Sequence, residues 1–385
     1  MNLRALLTRA SLLLMTLIST AAPHADVPTY LVFVGTYTGA GSQGIYSFRF
    51  DATTGQATPL GLAAETVHPT FLDLHPGGRF LYAVGETGSF EGKPAGSVSA
   101  FEIDRDTGRL TRLNAASTVG TGPCHLVVDR TGRNVLVANY GGGSVAVLPI
   151  DASGRVGEAT AFVQHQGSSV NPRRQQGPHA HGVTLSPDQR FVFVPDLGLD
   201  RILAYRFDAA RGSLTPAEIP YAATQPGAGP RHFVFHPNGK SAFVINELDS
   251  TITTYTYDAT RGSLSRLGTV STLPRGFTGA STTAEIEIHP SGKFLYGSNR
   301  GHDSLALFSV TPATGRLARV EITSTGGKTP RNFAIDPTGR WLWAANQDSN
   351  RIGIFAIDPA TGRLKPTETA LEVGAPVCVK FLALE

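Results

Sequence analysis

Residues 229–250 read GPRHFVFHPNGKSAFVINELDS. Pro230 and the polar pair Arg231–His232 lead into apolar Phe233–Phe235. His236–Gly239 then turns the chain, and Ser241–Ile245 runs largely apolar before ending in Asn246–Glu247. Proline presets the backbone for the second position of a tight turn, and glycine accepts the positive φ that closes it. Two short apolar runs joined in this way form an antiparallel hairpin, and the alternating stretch that follows predicts a third strand beside it. The pattern recurs. Its turn appears as HPGG (75–78), DRTG (129–132), SPDQ (186–189), HPNG (236–239), HPSG (289–292) and DPTG (336–339), at intervals of roughly 50 residues.

A second punctuation mark counts the repeats independently. Asp51-ATTG, Asp104-RDTG, Asp151-ASG, Asp208-AARG, Asp258-ATRG, Thr311-PATG and Asp358-PATG each follow an alternating strand, which makes seven against six of the first turn. The chain's first strand, from Tyr30, matches the second strand of the unit, and Val377–Ala383 at the other end matches the first. One unit is therefore divided between the termini. Sheets this small cannot bury both faces alone, and packing them radially leaves few free edges. The predicted fold is all-β: a seven-bladed β-propeller over 29–384 with four-stranded antiparallel blades, its ring closed by the shared blade.

Only 16% of the 385 residues are charged and the net charge is +3, so nothing marks a nucleic-acid surface. Residues 1–25 carry Arg4 and Arg9, the apolar run Leu12–Ile18 and small residues after it, the anatomy of a cleaved signal peptide. The mature chain is expected to be exported, periplasmic where the host has two membranes, free of the membrane after cleavage, and monomeric. The two cysteines, Cys124 and Cys378, fall on first strands with a whole blade between them, beyond disulfide reach, and are expected to be free thiols.

Pairing across the Pro237–Asn238 turn brings Arg231 and His232 beside Asn246 and Glu247. The same count in every unit gathers one varied, polar rim: His68 with Glu86, His125 with Asn139 and Tyr140, His179 and His181 with Asp196, Glu285 with Asn299 and Arg300, and Arg331 and Asn332 with Asn346 and Gln347. The other rim carries the repetitive turns, where His75, His236 and His289 read as structural. Asn139, Asn246, Asn299 and Asn346 recur at one place and read as bridges between backbones. Arg231, Glu247, Arg300 and the histidine pair are not shared by all blades, and function is expected at such varied positions around a channel mouth.

The segments NPRRQQGPHAHGVTLSPD (171–188), GAGPRHFVFHPNGK with INELDSTI (227–252), AEIEIHPSGKFLYGSNRGHDSLALF (284–308) and PRNFAIDPTGRWLWAANQDSN (330–350) together resemble the lactonase family of seven-bladed propellers. That family includes propeller-type 6-phosphogluconolactonases and a carboxy-cis,cis-muconate cyclase. The resemblance implies a catalytic histidine, two arginines and a glutamate, which would fall on His181 (or His179), Arg231, Arg300 and Glu247. His232, Arg331, Asn346, Asp196, Glu285 and the loop residue Arg174 are then expected to contact substrate. The implied reaction is hydrolysis of an anionic sugar-acid lactone, with a neutral histidine as base and arginine at the oxyanion. No metal or cofactor is required, although Asp196, Asp200 and Glu285 are acids that could hold an ion. The competing readings are a muconate-type cyclase, a non-catalytic binding propeller, and a quinone-dependent dehydrogenase that would stack its cofactor on Trp341 or Trp343.

Overall fold

A computed structural model of the chain describes residues 29–384; the expected signal peptide lies outside the described residues. Seven four-stranded antiparallel sheets follow one another around an axis, and the regular helix among the described residues is a single turn, Gln347–Ser349. Second strands such as Phe80–Gly85, Phe191–Asp196 and Ser241–Asn246 are buried along their whole length, because neighbouring blades cover both faces. This is why they read as continuous apolar runs instead of alternations. Outer strands such as Ser263–Ser271 are largely exposed.

The ring closes as the repeat count requires. Pro376–Leu384 pairs antiparallel with Thr29–Thr36, from Thr29 opposite Leu384 to Thr36 opposite Pro376, and forms the innermost strand of that blade. Inner strands have one edge without a ladder partner, and an unpaired buried backbone group is costly. Side chains of the preceding blade supply the missing bonds. Asp73 accepts the Val128 N–H at 2.9 Å, Glu287 that of Ile335 at 2.8 Å, and Asn332 that of Val379 at 2.9 Å. On the far rim the turn histidines bolt blade to blade. His75, His236 and His289 place Nε2 at 3.2, 2.9 and 2.8 Å from the carbonyls of Gly132, Gly292 and Gly339.

One register detail differs from the simple hairpin count. Pro230 faces Asn246 and His232 faces Ile245, which leaves Arg231 as an extra, bulged residue. Equivalent shifts lie between Pro123 and His125, between Thr283 and Ile286, and between Pro330 and Asn332. A bulge bends its strand and re-aims a side chain. Here it brings Cys124, Arg231, Glu285 and Arg331 around one narrow central cavity.

Candidate active site

Two rings of positions build the mouth. The first holds the bulged residues: Cys124, Arg231, Glu285 and Arg331, joined by Thr70 and Val377 around the cavity. His181 takes the matching place in its own blade, because Ala180 bridges to Asp196 as Pro230 does to Asn246. The second ring is the residue that ends or follows each second strand, among them Tyr37, Glu86, Tyr140, Glu247 and Arg300. Both rings vary in residue type while the backbone beneath them repeats.

Glu247 is the centre. Its buried carboxylate lies 2.7 Å from Arg174 Nη2, 3.0 Å from Arg300 Nη2, 3.2 Å from Arg231 Nε and 3.7 Å from His181 Nε2. Burial alone would raise its pKa, but the three guanidinium groups outweigh that and hold it at about 2, so it is a fixed anion. The arginines are crowded in turn. Burial, then Arg331 and Arg300, bring Arg231 down to about 10, still a cation at neutral pH. His181 is pushed well below the usual histidine range by burial and by Arg231, and stays neutral. The Nε–H groups of Arg231 and Arg300 are buried without an acceptor in hydrogen-bond geometry; Arg231 Nε approaches Glu247 off-line.

Supporting contacts fix these groups. Arg231 donates to the Ala284 carbonyl at 2.7 Å and lies 3.2 Å from His232 Nε2, while His232 Nδ1 is 2.7 Å from Glu285. Burial keeps His232 neutral, so it donates Nδ1–H to the carboxylate and accepts from Arg231. Across the cavity, Arg331 donates to the Tyr37 hydroxyl at 3.0 Å, and that hydroxyl donates to Glu86 at 2.9 Å.

Of the residues singled out in the sequence, His181, Arg174, Arg231, Glu247 and Arg300 meet directly, and His232, Glu285 and Arg331 adjoin them. Glu285 is fully engaged by His232, Asn332 and the Ile286 N–H. His179 stands apart, stacked on Tyr140 at 4.6 Å with Nδ1 on the Tyr140 carbonyl. Asp196 is taken up by His165 and by the N–H groups of His179 and Gly198, which pin the long loop instead of facing a ligand. Asn346 donates to the Thr325 carbonyl and is fully buried, the bridging role that its recurrence indicated. Asp200 caps Ser169, Gly227 and Gly229. The three acids therefore serve separate partners, and among the described residues no group of three or more ligand-type side chains could hold a metal ion. Trp343 packs in the core against Phe48, Phe50 and Phe381, and Trp341 bonds the Ala52 carbonyl, so neither offers a stacking face at the mouth. Both cysteines are free and buried.

The places of Tyr37, Thr70 and Cys124 beside the cavity were not legible from the hairpin count. The signal that finds two of them is the residue after the recurrent proline: Pro69-Thr70, Pro123-Cys124, Pro230-Arg231, Pro330-Arg331 and Pro376-Val377.

The seven-bladed propeller defines a class of protein. Residues 31–381 match the lactonase, 7-bladed beta-propeller family, and the chain belongs to it. It is 38% identical over 296 residues to a 6-phosphogluconolactonase of Bacillus subtilis, covering 77% of this chain and 82% of that one. A 6-phosphogluconolactonase of Formosa agariphila is 34% identical over 290 residues, covering 74% and 80%. Among solved structures, the periplasmic gluconolactonase of Pseudomonas aeruginosa superposes with a TM-score of 0.87 at 36% identity, covering 93% of this chain and 100% of that one.

Proposed function

We propose that this protein hydrolyses a sugar-acid lactone at the channel mouth. The observation that carries the reading is the meeting of Arg231, Arg300 and a neutral His181 on the one buried Glu247 carboxylate, with the Nε–H groups of both arginines lacking an acceptor in hydrogen-bond geometry. Unsatisfied buried donors are costly, and a developing oxyanion would satisfy them.

In this reading water attacks the lactone carbonyl and His181 takes its proton. The carbonyl oxygen becomes an oxyanion against Arg231 and Arg300. The ring C–O bond then breaks, and the leaving alkoxide takes the proton back from His181, giving the open hydroxy acid. Glu247 does not exchange protons, because it is held ionised near pKa 2. It sets the positions of three guanidinium groups. Arg331 and Arg174 would hold an anionic group of the substrate, as bidentate guanidinium does. His179, half-exposed on Tyr140, would flank it. The names of the relatives bracket the substrate: phosphorylated gluconolactone in Bacillus and Formosa, gluconolactone in Pseudomonas. The predicted signal peptide and the periplasmic Pseudomonas neighbour support action outside the cytoplasm.

A panel of phosphorylated gluconolactone, plain gluconolactone and carboxymuconolactone, assayed by acid release with purified protein, tests the reading. Hydrolysis of either sugar lactone above the spontaneous rate is expected. Inertness toward all three would contradict it.

A further inference from the structure

Cys124 occupies the bulge between Pro123 and His125, the position that carries Arg231 and Arg331 in other blades. Its Sγ lies 3.5 Å from His181 Nδ1, 3.5 Å from the His181 carbonyl and 3.8 Å from the Ala180 carbonyl. The thiol is buried beside Thr70, Glu86, Arg231 and Arg331.

One S–H proton faces three acceptors, and which of them it meets decides the tautomer of His181. If the thiol donated to Nδ1, the ring proton would sit on Nε2. Its facing acceptor would then be Glu247 at 3.7 Å, beyond hydrogen-bond range and already shared by three arginines. If the thiol donates to a carbonyl, its sulfur is free to accept Nδ1–H. Cys378 shows the same double use one blade before the Thr70 blade: its sulfur accepts the Leu72 N–H at 3.3 Å and faces the Leu72 carbonyl at 4.0 Å.

We propose that Cys124 is a positioning residue that holds His181 as the Nδ1–H tautomer, leaving the Nε2 lone pair toward Glu247 and Arg231 to take a proton from water. This rests on His181 being the base. The second ring nitrogen of a histidine is routinely assigned by the partner of the first. Burial raises the Cys124 thiol far above its ordinary range, so it remains S–H and keeps both donor and acceptor capacity.

The test is long-range ¹H–¹⁵N correlation of the full chain labelled in histidine, with His181 assigned through His181→Gln. Wild type should carry the proton on Nδ1. Cys124→Ala should shift His181 toward Nε2–H and lower kcat roughly tenfold with KM little changed, a smaller loss than the 10²–10⁴ of removing a base. Cys124→Ser, which keeps donor and acceptor, should retain the wild-type tautomer and recover most of the turnover. An Nε2–H tautomer in wild type, or the same tautomer in wild type and Cys124→Ala, would overturn the proposal whatever the rates do. A tautomer shift in Cys124→Ala with unchanged turnover would uphold the positioning role and remove His181 as the base.

Discussion

At the residue scale the site is a balance of charges in which no single group is free to change. Glu247→Gln leaves Arg174, Arg231 and Arg300 around a neutral amide. Breaking such a buried pair typically costs about 3–5 kcal/mol, so this variant should show a lower denaturation midpoint as well as lost turnover. Arg231→Lys removes the planar fork that reaches Ala284 and Glu247 together, and should not restore the activity lost in Arg231→Ala. Recovery to wild-type rate would show that only the charge matters. Because His181 is depressed below its ordinary 6.5, the acid limb of kcat/KM should lie below that value. The base is neutral above its folded pKa and is lost only as pH falls through it, and a limb near 7 or higher would argue against His181. Arg231, Glu247 and Arg300 were legible in the sequence because their charged side chains are not shared by all blades. Asp196 and Asn346 also lie on the rim by count, yet Asp196 is claimed by His165 and loop N–H groups and Asn346 donates to backbone carbonyls, a matter of rotamer and neighbouring loops that spacing does not encode.

At the scale of elements, the hairpin turn and the bulge divide the labour between the rims. The far-rim turns are structural, and Gly132 shows how tightly. Its φ is +68°, and a Cβ there would lie 2.1 Å from His75 Nε2. Gly132→Val should therefore lower stability by roughly 2–3 kcal/mol through strain and collision while leaving KM unchanged, since the mouth is at the opposite end. A shift in KM with no loss of stability would mean that the two rims are not separate. The strands and turns were readable from proline, glycine and apolar runs. The bulges were not, because one extra residue leaves the apolar pattern of the strand intact and shows only in pairing. That single residue per blade decides which side chain meets the cavity, so the sequence count placed Arg231 and His232 in the right region with a register that needed correcting.

At the scale of the molecule, closure depends on a strand supplied by the far end of the chain. Truncation after Ala375 removes Pro376–Leu384 and uncovers Thr29–Thr36 along its length. It should abolish most of a total stability on the order of 5–15 kcal/mol, and an unchanged melting temperature would contradict the shared blade. The pH response follows from the buried groups. His181 and His232 stay neutral when folded but take a proton near 6.5 when unfolded. Each therefore contributes stability that is complete above 6.5 and falls with pH below it, by up to about 1.4 kcal/mol per pH unit. Glu247 adds loss between its ordinary 4.5 and about 2. Glu287, raised by burial to about 8, opposes this, because the fold gains stability as it takes a proton. The histidine contribution is therefore read by comparison. The melting temperature of His181→Gln should fall less steeply than that of wild type below pH 6.5, and an equal slope would contradict the assignment of a neutral buried His181. The seven-fold count was available from the sequence since two independent turn motifs carry it, and the unequal six and seven already located the seam.

We propose that the charged mouth performs lactone hydrolysis with His181 as base. The most direct test is initial-rate acid release from phosphorylated and plain gluconolactone by wild type and His181→Ala, each confirmed folded by its melting curve. Wild type should turn over at least one of these lactones, and His181→Ala should lose about 10²–10⁴-fold in rate. Near-normal hydrolysis by the folded His181→Ala protein would contradict the proposal.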